Sequence, residues 1–229
     1  MKKNFLLAGA SSAMAKETAL LLAKDNHHTL GISRKEISGV YSEFHSVNNY
    51  DSSSLPELKL SLHGLVYFPG SIRLKPFHRI TKDEFLEDYQ INVLGAIQVL
   101  QKYLPLLKQN EKASVVLISS VAAKTGMPFH ASIASAKAAI EGLSMSLAAE
   151  FAPNIRVNCI APSLVETPLA EKFLGSEEKK EAMKKRNPSG MVGDCKEMGS
   201  LIHFLLNENS SYINGQIIPI DGGHSTLRV

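Results

Sequence analysis

The segment ASIASAK, residues 131–137, belongs to a run of small and apolar residues that predicts a helix. Its lysine, Lys137, could do chemistry, because a cation lowers the pKa of an acid beside it. Ile133 lies four residues earlier, one helical turn away on the same face. An aliphatic side chain can neither give nor take a proton, so this pair lacks the general acid or base that such a lysine would assist.

The residues after the first apolar run, NFLLAG, could bind a phosphate. Gly9 allows a tight turn there, and the hydroxyls of Ser11 and Ser12 can bond phosphate oxygens before a helical pattern begins. In an α/β sheet, such a turn between the first strand and helix holds phosphate on backbone N–H groups. The alternative is a plain loop in which a serine caps the helix.

Strand-like and helical patterns alternate along the chain. Seven apolar runs read as strands: NFLLAG, HTLGIS, EFHSVN, GLVYFPG, ASVVLISS, NIRVNCIAP and QIIPIDGG. Amphipathic patterns between them read as helices, the longest over residues 84–107, where Pro105 should bend or end the helix. Alternating units of this length predict an α/β fold with a doubly wound parallel sheet of seven strands, in a single domain over residues 1–229.

The bulk composition restricts the class of protein. The chain has 229 residues, 44% of them hydrophobic and 21% charged, which is typical of a soluble globular protein. The net charge of +3 does not suggest nucleic acid, and no apolar run reaches membrane-spanning length. Cys159 and Cys195 suit a reducing compartment, so we expect a cytoplasmic protein. His27 and His28 have no partner at ligand spacing, so no metal site is expected.

Further motifs follow the first turn, Ala8-Gly9-Ala10-Ser11-Ser12-Ala13-Met14-Ala15. They are Tyr67-Phe68-Pro69-Gly70, Asn92-Val93-x-Gly95, Ile118-Ser119-Ser120, Ile133-x-x-x-Lys137, Arg156-Val157-Asn158 through Pro162 with Thr167-Pro168, and Tyr212-Ile213-Asn214-Gly215-Gln216 with Asp221-Gly222-Gly223. Their order and spacing resemble the classical short-chain dehydrogenase/reductase family, in particular the 3-oxoacyl-ACP reductases. The resemblance runs from Asn4 to Gly223 and implies a Rossmann-type sheet.

Members of that family move a hydride between NAD(P) and a carbonyl or alcohol. The resemblance implies that Ser120 hydrogen-bonds the substrate oxygen and that Asn92 holds a water. It implies that Lys137 binds the nicotinamide ribose and lowers the pKa of a tyrosine. Each has a simpler alternative, since a serine can end a strand, an asparagine can be a buried amide, and a lysine can cover a helix surface.

The same resemblance implies a set of cofactor-binding residues. They are Gly9, Ser11, Ser12, Met14, Ser33, Arg34, Asn48, Asn49, Pro69, Gly70, Lys137, Pro162, Val165 and Thr167. Family members that prefer NAD have an acidic residue at the end of the second strand. This chain has Ser33 and Arg34 there, which would suit a 2′-phosphate and favour NADP, although a solvated basic pair is the alternative.

The chain departs from the family pattern at its chemical positions. Ile133 stands where the family has the tyrosine that acts as general acid and base. The other departures replace glycines of the first turn, the Asn-Asn-Ala of the fourth strand, and a further Gly and Arg: Ala13, Ala15, Tyr67, Phe68, Pro69, Ser163 and Met191. These departures fit either a specialised site or a protein that has lost catalysis.

Another group could take over the proton transfer. His130 precedes the helix by one residue, and an imidazole is the side chain best suited to exchange a proton at neutral pH. Ser132 points about 100° away from Ile133 around the helix. Tyr67 could reach the site from the opposite wall. One hypothesis is that His130 or an ordered water donates the proton, and the favoured alternative for His130 is an exposed loop histidine.

These observations predict an NADP(H)-dependent oxidoreductase that acts on a small carbonyl or hydroxyl compound with an altered acid/base step. The alternative is a catalytically inactive member that binds a nucleotide or a partner. Residues 168–190 include the charged helical run EEKKEAMKKR and match the family's substrate lid. By resemblance, the protein should be a homotetramer or homodimer that binds neither nucleic acid nor membrane.

Overall fold

The computed structural model describes residues 1–228. Its centre is a seven-stranded parallel sheet with the order β3-β2-β1-β4-β5-β6-β7, which confirms the predicted α/β, Rossmann-type architecture. The strands are β1 Asn4–Ala8, β2 His28–Ser33, β3 Glu43–Ser46, β4 Gly64–Tyr67, β5 Ala113–Ile118, β6 Ile155–Pro162 and β7 Ile217–Ile220. Buried apolar residues make up most of these strands, because helices cover both faces of the sheet.

Residues 1–228 contain seven α-helices: α1 Ala13–Lys24, α2 Lys82–Tyr89, α3 Gly95–Leu107, α4 Ala131–Phe151, α5 Glu171–Leu174, α6 Glu177–Lys185 and α7 Cys195–Leu206. Helices α1 and α7 pack together on one face, and α3 and α4 cover the other. None of the helices in residues 1–228 combines the length and the apolar character that crossing a bilayer requires.

The long helix predicted over residues 84–107 is not regular. A π-helical segment, Gln90–Leu94, separates α2 from α3, and Pro105 lies two residues before the end of α3. The buried hydroxyl of Tyr67 donates to the carbonyl of Ile91 within this segment, at 2.7 Å. Gly95 gives the hydroxyl room, because a Cβ there would lie 2.2 Å from it. Tyr67 therefore packs into the helix rather than into a cleft.

The strand order reverses between β1 and β4, and parallel sheets bind ligands at the carboxyl ends of the strands beside such a reversal. Gly9 follows β1 at this point and has φ +84°, a left-handed value that favours glycine. A Cβ at Gly9 would lie 2.7 Å from Cδ of Pro69, which follows β4. The turn after β1 thus packs directly against the end of β4.

Candidate active site

Lys137 is buried on α4, with 7% of its surface exposed, and it is not a surface lysine. Its Nζ donates to the carbonyl of Ile118 at the end of β5, at 2.8 Å. Burial lowers the pKa of Lys137 to about 8. An ammonium has three hydrogens to donate, and one carbonyl accepts only one of them. The remaining donors are available to a ligand.

Asn92 lies in the π-helical segment and is 1% exposed. Its Nδ2 donates to the carbonyl of Asp88 at 2.7 Å and to Oγ of Ser71 at 3.0 Å. Its Oδ1 is buried and has no hydrogen-bond partner among residues 1–228. A Cβ placed on Gly70 would lie 3.3 Å from this oxygen and 3.4 Å from Nζ of Lys137. An acceptor and a donor therefore face one small space beneath Gly70.

Ser120 follows β5 in extended conformation, two residues after the carbonyl that holds Lys137. Its Oγ accepts a hydrogen bond from the N–H of Ala122 at 3.2 Å. A hydroxyl that accepts from backbone keeps its own hydrogen, so Ser120 can donate to a substrate oxygen. The neighbouring Ser119 is buried instead, and it donates to Oε1 of Glu141 at 2.9 Å.

Residue 133 and its two polar neighbours, Ser132 and His130, differ in whether they can supply a proton to the site. Ile133 is 5% exposed on α4 and offers no donor. Ser132 is turned away and donates to Oδ2 of Asp88 at 2.6 Å. Nδ1 of His130 lies 2.8 Å from the carbonyl of Pro128. Because that carbonyl can only accept, Nδ1 carries hydrogen, and Nε2 is the nitrogen that exchanges a proton.

Tyr67 does not reach the site. Its hydroxyl is used by the π-helical segment, and burial raises its pKa far above the ordinary value. The expectation that it could act from the opposite wall is therefore wrong. Tyr67 packs edge-on against Tyr50, with ring centroids 5.6 Å apart.

The turn after β1 leaves its serines available. Ser12 is the residue before α1, yet its side chain makes no capping hydrogen bond. Ser11 and Met14 are half-buried on the same turn. The hydroxyl of Tyr41 donates to the carbonyl of Ala10 at 2.7 Å and so supports the turn from beneath. The plain capping loop considered from the sequence is not what forms.

At the end of β2, the two residues expected to bind a 2′-phosphate, Ser33 and Arg34, differ in their accessibility. Ser33 is fully buried and donates its hydroxyl to the carbonyl of Lys35, which removes it from the surface that a phosphate could reach. Arg34 is exposed. Asn48 and Asn49, after β3, are also exposed, and Oδ1 of Asn49 accepts from the N–H of Asp51. Of the two residues expected to bind a 2′-phosphate, Arg34 is the accessible one.

The segment after β6 provides backbone and hydroxyl groups. Pro162 ends β6, and Val165 forms an isolated bridge with Gly193. The hydrogen bonds of that bridge run from the N–H of Gly193 to the carbonyl of Leu164 and from the N–H of Glu166 to the carbonyl of Gly193. The N–H and C=O of Val165 itself take no part in them. Oγ1 of Thr167 accepts from the N–H of Ala170 at 3.3 Å and keeps its hydrogen to donate.

Comparison with known proteins decides the family. Residues 57–225 match the model of the enoyl-(acyl carrier protein) reductase family. A 3-oxoacyl-[acyl-carrier-protein] reductase, FabG, from Thermotoga maritima is 32% identical over 237 aligned positions, which cover 95% of this chain and 96% of that protein. The chain belongs to the short-chain dehydrogenase/reductase family.

Two further family comparisons agree. A tropinone reductase homolog from Arabidopsis thaliana is 38% identical over 172 residues, 75% of this chain, and the match spans 65% of that relative's length. The solved structure of ElxO with NADP bound superimposes with a TM-score of 0.88 at 25% identity, covering 99% of this chain and 100% of that chain. The sheet and its helices are thus those of a short-chain dehydrogenase/reductase.

The residues present fit the nicotinamide cofactor that this family implies. Oδ1 of Asn92 is a buried acceptor without a partner, and Lys137 has hydrogens to donate beside it. Gly9 allows the tight left-handed turn after β1, and the side chain of Ser12 makes no capping hydrogen bond at the start of α1.

Sequence reasoning missed the buried carboxylate of Asp88 and its two serine partners. The spacing from Asp88 to Asn92, one helical turn, was the available signal.

Proposed function

We propose that this protein is an NADP(H)-dependent oxidoreductase that interconverts a small carbonyl compound and its alcohol with an altered proton-transfer step. The observation that carries the proposal is the juxtaposition of the Lys137 ammonium and Oδ1 of Asn92 beneath Gly70. When bound, NADPH supplies a hydride. A donor and an acceptor at this spot suit a ribose hydroxyl or a water, each of which both gives and takes hydrogen bonds.

The residues around this pair supply the other contacts. Ser120 donates its hydroxyl hydrogen to the substrate oxygen and so stabilises the charge that develops there. Thr167 donates to the carboxamide of the nicotinamide, and the free backbone groups of Val165 add to that contact. Ser11 and Ser12 donate to the pyrophosphate at the N-terminus of α1.

The choice of NADP rests on Arg34. It is exposed beside the carboxyl end of β2, and no acidic side chain takes that position to hold a ribose 2′-hydroxyl. A guanidinium pairs well with a phosphate. The ElxO structure, which holds NADP, gives independent support from a related protein.

The proton must come from a group other than residue 133. Nε2 of His130 can deliver one, because its Nδ1 is fixed as a donor by Pro128. A water on Lys137 is the other source. Replacing His130 with Gln should lower the rate of NADPH-linked reduction and change its pH profile if the imidazole is the donor, while an unchanged rate and pH profile would assign the role to water.

A matched pair of substitutions at residue 133 tests the whole proposal. Ile133→Tyr restores a phenol one turn from Lys137, whereas Ile133→Phe adds the same ring without the hydroxyl. General acid/base groups contribute roughly 10²- to 10⁴-fold, so NADPH-linked reduction of simple ketones and quinones should rise by about that factor in the tyrosine variant alone. Equal rates in the two variants would contradict the proposal.

A second candidate is a nucleotide-binding module without catalysis. The observation that favours it is the full burial of an aliphatic residue where a proton donor is needed. Such a protein would bind NADPH, and Ile133→Tyr would gain no activity.

Three finer features complete the proposal. Residues 168–190 form a lid over the substrate, supported by the hydrogen bond from Lys172 to the carbonyl of Ile72 at 2.9 Å. The protein is one domain and a homotetramer or homodimer, supported by exposed apolar residues on α2, the π-helical segment and α4, namely Leu86, Leu94 and Met145. A cytoplasmic location is supported by two buried cysteines without a disulfide.

A further inference from the structure

The carboxylate of Asp88 is buried close to the site, yet no step of the proposed chemistry uses it. It is 0% exposed on α2. Ser71, on the loop after β4, donates to its Oδ1 at 2.6 Å, and Ser132, on α4, donates to its Oδ2 at 2.6 Å. Nε of Arg73 lies 3.8 Å from Oδ1. A buried carboxylate costs free energy unless it is paired and hydrogen-bonded, so this arrangement is a built one.

The carboxylate of Asp88 determines, through Ser71, which atom of the Asn92 amide acts as the donor on this side. An ionised carboxylate only accepts, so Ser71 must spend its single hydrogen on Asp88. Oγ of Ser71 can then only accept, and it does so from Nδ2 of Asn92 at 3.0 Å. The backbone carbonyl of Asp88 takes the second hydrogen of Nδ2. The amide nitrogen is held on this side, and Oδ1 must point toward Gly70 and Lys137.

We infer that Asp88 is a positioning residue that, through Ser71, fixes the side-chain amide of Asn92 with its oxygen toward the amine of Lys137. Its use in turnover rests on the proposed function, but the positioning itself does not. Without the carboxylate, Ser71 could rotate and donate to the amide, and the amide could turn its NH₂ toward a cation. An NH₂ group facing an ammonium repels it and offers no acceptor to a ligand.

The charges around Asp88 favour an oxygen on the Ser71 side. Arg73 bonds Glu84 at 3.1 Å and Glu87 at 2.5 Å, both on α2, while its Nε lies nearest Oδ1 of Asp88. Lys75 bonds Glu84 at 2.9 Å on the outer side. An uncharged amide at position 88 would therefore keep its carbonyl oxygen toward Ser71 and Arg73, and its NH₂ group toward Ser132.

Hydrogen exchange of the Asn92 side-chain NH₂, observed by NMR on the protein without cofactor, tests the inference. The resonance is identified by its loss in Asn92→Asp. Asp88→Leu removes both acceptors and should speed exchange at least about tenfold. Asp88→Asn keeps an acceptor beside Ser71 and should stay within about twofold of wild type, as should Ser132→Ala, which removes only the other arm of the carboxylate.

Wild-type exchange in Asp88→Leu would overturn the inference, and so would equal acceleration in Ser132→Ala or Asp88→Asn. If Asp88→Leu does not fold, a comparison of Ser71→Ala with Ser132→Ala decides. Exchange of the Asn92 NH₂ should speed up in Ser71→Ala and stay unchanged in Ser132→Ala. NADPH affinity, measured on the same proteins, should fall only where exchange speeds up. A wild-type protein that binds no NADPH would contradict the proposed function while leaving the exchange result to decide the role of Asp88.

Discussion

The two halves of the carboxyl edge of the sheet differ in how their polar side chains are held. In the half formed by β4, β5, α4 and the π-helical segment, Asn92 and Lys137 are buried and fixed by hydrogen bonds within the protein. In the half formed by β1, β2 and β3, Arg34 and Asn48 are exposed. The first half is preorganised by these internal contacts. In the second half we expect ligand binding to restrict exposed side chains, at a cost in entropy.

The largest expected effect is at Gly9, where the two halves meet. Gly9→Ala would force a Cβ to within 2.7 Å of Pro69 at φ +84°. Gly39→Ala shares the strained backbone, φ +74°, but meets nothing within 4 Å. Urea unfolding should show a loss of about 3 kcal/mol for the first and about 1 kcal/mol for the second. Equal losses would show that the halves are not packed together.

The preorganised half should make stability depend on pH through Lys137. Its folded pKa of about 8 is below the unfolded value of 10.5, so protonation is penalised in the fold. Above the folded pKa the native state loses this proton while the unfolded chain keeps it, so stability rises with pH between the two values. Lys137→Met should be the more stable protein at about pH 7, and its advantage should shrink by about 2 kcal/mol by about pH 9.5.

The buried tyrosines, including Tyr50, whose pKa burial raises to about 12, are common to both proteins and cancel in this difference. Urea unfolding at the two pH values measures it. An advantage that stays constant would mean that the amine is not buried in the way described.

Gly70→Ala fills the space beneath Gly70 and should weaken the binding of NADPH without unfolding the protein. A Cβ there would crowd Oδ1 of Asn92 at 3.3 Å and Nζ of Lys137 at 3.4 Å. We expect about a tenfold higher Kd for NADPH, or about 1.4 kcal/mol. Gly126→Ala, which meets nothing within 4 Å, is the control and should keep wild-type affinity. Unchanged affinity in both would place the cofactor elsewhere.

The smallest effect is expected in the exposed half. Arg34→Ala should raise the Kd for NADPH about fivefold, or about 1 kcal/mol, and leave that for NADH unchanged, because the partner is a single phosphate at an exposed position. Lys35→Ala, its exposed neighbour, is the matched control. A similar loss for both cofactors would assign Arg34 to a different contact.

The sequence predicted the doubly wound parallel sheet of seven strands, because it follows from the alternation of apolar runs and helical patterns. Tyr67 and Ser33 were placed wrongly, since both hydroxyls are taken by nearby backbone carbonyls. The π-helical segment was not predicted either, because the hydrogen bond from Tyr67 to the carbonyl of Ile91 joins parts of the chain that are far apart in sequence. The pairing of Asp88 with Ser132 spans 44 residues, and no periodicity records such a contact.

In the proposed function, the Lys137–Asn92 space and the turn after β1 together bind NADPH. The most direct test is titration of the purified protein with NADPH and with NADH, followed by the fluorescence of the reduced nicotinamide, in a chain that contains no Trp. We expect saturable binding that is tighter for NADPH than for NADH. Absence of binding up to millimolar cofactor, or tighter binding of NADH, would contradict it.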